Sequence, residues 1–334
     1  MKPELTQNTK TPGSQPPVSS PPEVSVVMAV YNQGGFVKAA VESVLNQSFQ
    51  DFEFIIVDDA STDDTDDILQ SVGDPRIRLF RNPENQGLTS SLTTGIAAAA
   101  GNYIARMDAD DISLPQRLEK QVAFLDTHPN VVLMGCNCSI IDHRGRGLGK
   151  AVSLPDTDRS LREKLPEFNC FVHGSVMFRR TAFEQVGGYR VGFRDSQDYD
   201  LWLRMMEVGG LANSQEVLYK SRIHPDMKSV KHLERQHAFY ALAQELHQVR
   251  SNHQDDNHLY LSRTKEIMHT NRQDSTLRKQ RRAKSTHRLR LGIRYLSNGY
   301  ILPGIKNMLY AIALNPFSSP LLREIQRRRL FSRR

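Results

Sequence analysis

Cysteine is scarce in this chain: Cys136, Cys138 and Cys170 are the only three among 334 residues. An odd and sparse set excludes a disulfide framework as the basis of the fold and suits a reducing compartment. Cys136 and Cys138 have no second Cys/His pair at zinc-site spacing. Alternate residues of a strand share a face, so both are expected in a core. Long apolar runs are also missing. No stretch of 18 apolar residues reads as a membrane span, and residues 300–316, the least polar late stretch, are broken by Pro303, Gly304, Lys306 and Asn307. That stretch fits a packed helical hairpin. The N-terminus lacks a charged region followed by an apolar one, so no signal peptide is expected and the cytoplasm is the predicted location. No G-x-G-x-x-G follows the first apolar run, which argues against a dinucleotide-dependent dehydrogenase.

What the chain has in excess is positive charge. Lys and Arg number 44 against 37 Asp and Glu, a formal net charge of +7. Such a balance fits nucleic acid, anionic lipid or a phosphorylated substrate and does not choose among them. The excess gathers late: residues 277–294 carry basic side chains and no acidic one, and the chain closes on Arg327-Arg328-Arg329 and Arg333-Arg334. One reading is the solvated face of amphipathic helices. The other is contact with an anionic membrane surface, where each basic residue contributes about 1 kcal/mol. No nucleic-acid-binding module accompanies the charge, so no nucleic acid partner is expected.

Along the chain, residues 1–22 are rich in Pro and Ser without apolar periodicity and read as a disordered leader. From Val24 the pattern is regular. Apolar strand-like runs at 24–30, 52–57, 76–80, 103–107 and 131–141 alternate with helical spacing after Gly34-Gly35, over 64–71, over 88–100 and over 114–127. That rhythm predicts an α/β fold: βαβ units forming a mostly parallel sheet covered by helices on both faces. The rhythm loosens after about residue 141. A strand over 174–178 and a short helix over 199–208 follow, and from Lys231 the chain turns helical and basic. The expected organisation is a leader (1–22), a catalytic domain (23–230) and a helical basic C-terminal region (231–334).

Chemistry concentrates where the strands stop. Tyr103 to Met107 runs into Asp108-Ala109-Asp110-Asp111, and the second strand runs into Asp58-Asp59-Ala60-Ser61-Thr62-Asp63. Crowded carboxylates repel one another, and a hard divalent cation is the usual reason for their company. Mg²⁺ or Mn²⁺ takes oxygen ligands and commonly holds a substrate phosphate. Helix capping is the alternative for either cluster. In a parallel sheet these strand ends share one edge, where ligands bind.

Three segments, Val24 to Asn32, Val57 to Asp63 and Met107 to Asp111, closely resemble family 2 glycosyltransferases of GT-A fold. Later pieces agree in order and spacing: His173 to Arg179, Gly187-Gly188-Tyr189-Arg190, and Gln197-Asp198-Tyr199-Asp200-Leu201-Trp202-Leu203-Arg204. The resemblance covers about residues 23–225. It implies an inverting transferase that takes a sugar from a nucleotide-diphosphate donor to a hydroxyl of a glycan or lipid-linked acceptor. On this resemblance Asp108 and Asp110 match the DXD motif, with Asp110 the direct ligand of Mg²⁺ or Mn²⁺. Asp59 matches the contact to the nucleotide base, with Ala29 and Tyr31 lining the same pocket and Asp58 beside it. Asp198 matches the general base, and such a carboxylate is what an attacking hydroxyl needs. His224 falls where a histidine can approach the diphosphate or metal, or else lie in a surface turn. His173 reads as structural or acceptor-lining.

The chain departs from the family in places. Gln197 stands where many relatives carry Glu, Thr93 and Thr94 where an Asn is frequent, and Gln33-Gly34-Gly35 where the stretch is often more acidic. The resemblance also implies cell-surface polysaccharide or lipopolysaccharide-type synthesis, and peripheral attachment to the inner membrane face. The same residues argue against two other readings. A sugar-nucleotide pyrophosphorylase would need a basic, Gly-rich phosphate loop after the first strand, where Asn32-Gln33-Gly34-Gly35 stands. A non-catalytic nucleotide-sugar or glycan-binding protein would not need both Asp110 and Asp198.

Overall fold

The computed structural model describes residues 20–149, 151–224 and 233–273, together with 285 and 307–310. Eight strands form one sheet in the order β3-β2-β1-β4-β7-β6-β8-β5. β1 (Val24–Val30), β2 (Phe52–Asp58), β3 (Ile77–Arg81) and β4 (Tyr103–Asp108) make the parallel half. In the other half, β7 (Met177–Arg179) runs antiparallel to both β4 and β6 (Val131–Asp142), β8 (Gly210–Ile223) lies parallel to β6, and β5 (Ile112–Ser113) closes the edge antiparallel to β8. The sheet is therefore mixed, with its parallel portion where the apolar runs predicted it.

Strand alternation splits the core into two layers. Val27, Ala29, Ile55, Val57 and Ile104 face one side and pack against α3 (Leu88–Ala97) and α7 (Gln197–Met205). Their neighbours Val26, Met28, Phe54, Ile56 and Ala105 face the other, beneath α1 (Gly34–Leu45) and α4 (Arg117–Thr127). Each fully buried aliphatic side chain stabilises by roughly 1.5–3 kcal/mol. The α3 helix approaches closely because of Gly95: a Cβ there would stand 2.7 Å from Val27 Cγ1. Short helices α2 (Thr65–Ser71), α5 (Asp158–Lys164) and α6 (Arg180–Gln185) complete the cover.

Of two further helices, α8 (Leu233–Ser251) docks on α7, and α9 (Asn257–Gln273) packs against α8. Phe239, Leu242, Ala243 and Leu246 of α8 are buried in the same layer as Trp202. Charge fixes the docking: Arg190, on the loop before α7, reaches Asp256 through two bonds of 2.8 and 2.6 Å, and Arg250 of α8 joins Asp256; within α7 itself Arg204 holds Asp200 at 2.7 Å.

The structure adds elements that the periodicity missed. β8 has a polar middle, Asn213 to Glu216, and an irregular register against β6 between Cys136 and Cys138, so no alternation marks it as a strand. The stretch expected as a strand over 174–178 opens as a 3-10 turn, His173–Ser175, before β7. Cys136 and Cys138 are buried, as their spacing predicted, and so is Cys170; none of the three is in a disulfide. Among the described residues no helix is long and apolar enough to cross a membrane. The leader up to residue 19, the basic stretch 277–294 apart from Ser285, the hairpin expected over 300–316 apart from 307–310, and the arginine-rich end lie outside the described residues.

Candidate active site

The parallel register brings the strand ends to one edge: Val30 pairs with Asp58 and Ala29 with Asp108. A cleft of about 1170 Å³ opens there, lined on one side by Ala29, Tyr31, Asp59, Asp108 and Asp110 and on the other by Asp198. Residues up to 169 positions apart in sequence, Ala29 to Asp198, thus share one space, as expected for the edge of an open α/β sheet.

At the first two strand ends the backbone is tied loop to loop. Asn32 adopts a left-handed conformation (φ 52°); its Oδ1 accepts from Thr62 N at 2.8 Å, while its own N–H donates to Ser61 Oγ at 3.0 Å. Asp59 accepts from Asn82 Nδ2 (2.7 Å), Gln86 N (2.9 Å) and Gly87 N (2.8 Å), which anchors loop 82–87 along the cleft. Tyr31 is 43% exposed, an apolar ring open to the cleft. Asp58 does not line the cleft. It is fully buried and accepts from Ser61 N at 3.1 Å and Ser61 Oγ at 2.5 Å.

The turn after β4 is pinned by β8. Asp111 Oδ1 accepts from Arg222 N at 2.6 Å, and Arg222 Nε donates to Asp110 C=O at 2.6 Å. Burial pushes the Asp111 carboxyl well above its ordinary range, with Asp110 and Asp108 adding to the effect. Asp108 Oδ1 accepts from the buried Arg106 at 2.6 Å. Burial raises the Asp108 carboxyl, and Arg106 opposes the rise. Asp110 Oδ2 lies 2.9 Å from His224 Nε2, and both residues line the cleft. Among the described residues no three His, Cys, Asp or Glu side chains converge as a complete metal cage. A Mg²⁺-type site does not need one: it commonly uses one or two protein carboxylates, substrate phosphates and water. Asp110, open to the cleft with a histidine beside it, fits that donor set.

Opposite, Asp198 stands in the first turn of α7, half-buried, and accepts from Asn169 Nδ2 at 2.8 Å. Burial raises its pKa above the usual carboxylate value, while the backbone N–H of Tyr199 and the Asn169 amide partly offset that. His173 also lines the cleft. Its Nε2 accepts from Arg106 Nε at 3.3 Å and lies 2.7 Å from the Tyr189 hydroxyl, linking the Asp108 side to the wall below Asp198. Arg194, Arg235, Gln236 and Met268 are among the other residues that line the cleft.

Asn169, Arg106 and Arg235 were not anticipated from the sequence. Only Arg106 had a signal: it lies two residues before Asp108 on the same strand face, a charge inside an otherwise apolar run. Asn169 and Arg235 reach the site through tertiary contacts that no local pattern announces.

Comparison with known proteins places this geometry. Residues 25–187 match the model of a family described as glycosyl transferase family 2. EpsE of Bacillus subtilis, a protein named as a glycosyltransferase, is 40% identical over 216 residues, covering 63% of this chain and 76% of EpsE. The O-antigen biosynthesis glycosyltransferase WbnJ of Escherichia coli is 34% identical over 209 residues, 60% of this chain and 80% of WbnJ. Among solved structures, TarS 1–349 of S. aureus in complex with UDP aligns with a TM-score of 0.56 at 16% identity, over 86% of this chain and 89% of that one. A mannosyltransferase of Pyrobaculum calidifontis in complex with GDP-Man and Mn²⁺ aligns with a TM-score of 0.51 at 16% identity, over 93% and 92%. At such identity the likeness concerns the fold, GT-A.

Proposed function

This chain belongs to glycosyl transferase family 2, and from that premise we propose that it is an inverting, metal-assisted transferase that passes a sugar from a nucleotide diphosphate to a hydroxyl of a glycan or lipid-linked acceptor. The observation that carries the reading is the placement of Asp198 and Asp110 in one cleft, a lone half-buried carboxylate across from a carboxylate–histidine pair. The cleft is somewhat larger than the span usual for small-ligand pockets, roughly 300–1,000 Å³. Room for a donor and part of an acceptor is what a transferase requires.

In this reading Tyr31 and Ala29 bound the nucleotide base. Asp59 holds loop 82–87 in place and contributes to the same pocket, and Asp108 faces the donor. Asp58 supports the loop from behind, through Ser61. Asp110, with His224, would hold Mg²⁺ or Mn²⁺ against the donor diphosphate. The bound ion would neutralise charge growing on the departing nucleoside diphosphate. Asp198 takes the proton of the acceptor hydroxyl as that oxygen attacks the anomeric carbon. Its raised pKa makes it a better base than an exposed carboxylate, provided it is ionised. One displacement inverts the anomeric centre. The relatives' names, O-antigen biosynthesis among them, support an acceptor of the cell-surface polysaccharide kind. UDP and GDP-Man in the aligned structures support a nucleotide-sugar donor. The basic stretch 277–294 suits peripheral contact with an anionic membrane face from the cytoplasm.

The test is a screen of UDP-, GDP- and dTDP-sugars with Mn²⁺ or Mg²⁺, reading release of the nucleoside diphosphate, with Asp110→Ala and Asp198→Asn alongside. The expected result is release from one donor class, abolished by chelation and in both variants. Donor binding without release, unchanged in Asp198→Asn, would favour a non-catalytic binding protein.

A further inference from the structure

The turn that carries Asp198 is gripped from outside its own helix. Ser196, the residue before α7, sits in the left-handed region (φ 54°, ψ 24°). A serine in this position ordinarily turns its hydroxyl onto the first N–H groups of the helix. Ser196 makes no such cap. Its Oγ instead donates to the carbonyl of Gln236 in α8, at 3.1 Å. One residue earlier, Asp195 Oδ2 accepts from Arg235 Nε at 2.5 Å. The side chains of this pair are 5% and 21% exposed, so the contact is formed largely out of solvent, where a charge-assisted bond is strong.

The left-handed region is unfavourable for any residue other than glycine, because a side chain there crowds the following carbonyl. Such a conformation persists where surrounding contacts over-determine it, and it clusters at functional sites. Here the surrounding contacts come from the first turn of α8, which also lines the cleft through Arg235 and Gln236. The family match ends at residue 187, so the Asp195–Ser196 turn, Asp198 and α8 all lie beyond it.

We propose that Arg235 is a positioning residue for the transfer: paired with Asp195, it holds the Asp195–Ser196 turn, and through it the first turn of α7, in the geometry that presents Asp198 to an acceptor hydroxyl. The inference rests on the reading of Asp198 as the general base. Arg235 touches no reacting atom. Its effect is on where the base points, so its loss lowers turnover and leaves donor binding intact.

The experiment compares the full chain with Arg235→Ala, Asp195→Asn and Asp198→Asn. Three readouts are taken: amide hydrogen exchange over residues 193–203, turnover of the donor found in the screen, and binding of UDP and GDP in the presence of Mn²⁺. In Arg235→Ala the amides of the first turn of α7 are expected to exchange about tenfold faster while β1 and β4 keep their protection. The kcat should fall roughly 10–100-fold, with acceptor KM and nucleotide affinity unchanged. Asp195→Asn breaks the same pairing from the other side, should move both readouts in the same direction, and carries the test if the alanine variant does not fold. Unchanged exchange in α7, or a rise in acceptor KM with kcat intact, would overturn the proposal. Asp198→Asn separates the two failures. If it keeps full turnover, the base reading is wrong. If it is inactive while the other variants match wild type in exchange and kcat, only the positioning role fails.

Discussion

The two walls of the cleft are built on different plans. The donor-side wall is made of strand ends. Ala29, Asp59, Asp108 and Asp110 follow from three neighbouring parallel strands, each delivering its residues in one contiguous stretch. The opposite wall is a gathering of distant pieces: Asn169 from a loop, Asp198 from α7, Arg235 from α8 and Met268 from α9. The first wall owes its shape to backbone ladders. The second depends on side-chain contacts between separate segments, including the Arg190–Asp256 and Arg235–Asp195 pairs. Damage should therefore propagate differently: narrowly and chemically in the first wall, mechanically in the second.

The sharpest way to break that contrast is at the carboxylates themselves. Asp110→Ala should lower transfer by at least roughly 10³-fold, because several kcal/mol of charge stabilisation go with the ion. It should also weaken Mn²⁺-dependent nucleotide binding, measured by calorimetry. Asp198→Asn should cost roughly 10²–10⁴-fold in turnover while nucleotide affinity stays put. Equal loss of binding in both variants would mean that the walls are not separable.

Arg190→Ala tests the mechanical wall. Removing one partner of a buried pair costs about 3 kcal/mol, read as a lowered denaturation midpoint, and Mn²⁺-dependent nucleotide binding should survive in the folded fraction. Wild type should show the same dependence in acid. Burial pushes the Asp256 carboxyl up, but Arg190 and Arg250 outweigh it and hold it below its ordinary value. A carboxylate lowered in the folded state contributes stability that is complete above its unfolded value and is lost as pH falls through the folded one. Docking of α8 and α9 should therefore loosen only in strong acid, before the parallel strands do.

The smallest expected effect is at Asn169. The rate should fall as pH drops through the raised pKa of Asp198, because the base must be ionised. Asn169→Ala removes a donor that favours the charged form, so the acid limb should move to higher pH. Turnover near neutrality should drop about tenfold, in line with one hydrogen bond to a charged group. A limb that stays in place would mean that Asn169 does not tune this carboxylate.

How much of this could be read beforehand follows the same division. The parallel strands, both acidic clusters and the edge they share were legible because each is a local pattern with a period. Asp58 and Asp59 could not be told apart by composition, but alternation separates them. Asp58 shares parity with Phe54 and Ile56, whose side chains lie in the layer beneath α1, whereas Asp59 falls on the opposite parity and meets the cleft. For His224 two readings stood open, and the contact with Asp110 is one that only the course of β8 creates. That strand was itself hidden by its polar middle. Arg235 had no signal at all, because its partner Asp195 lies 40 positions away in the turn before α7.

The place of β8 also dictates an order in time. β5, next to the Asp108–Asp111 turn, finds its strand partner in residues 219–220, and the turn is tied down by Arg222. A nascent chain can assemble β1 to β4 as soon as they emerge. The carboxylates of that turn, though made early, acquire their final setting only after β8 has left the ribosome, roughly 100 residues later at 5–20 residues per second. For several seconds of each synthesis the chain holds its acidic turn without the strand that sets it, and the opposite wall, which needs α8 and α9, is completed later still.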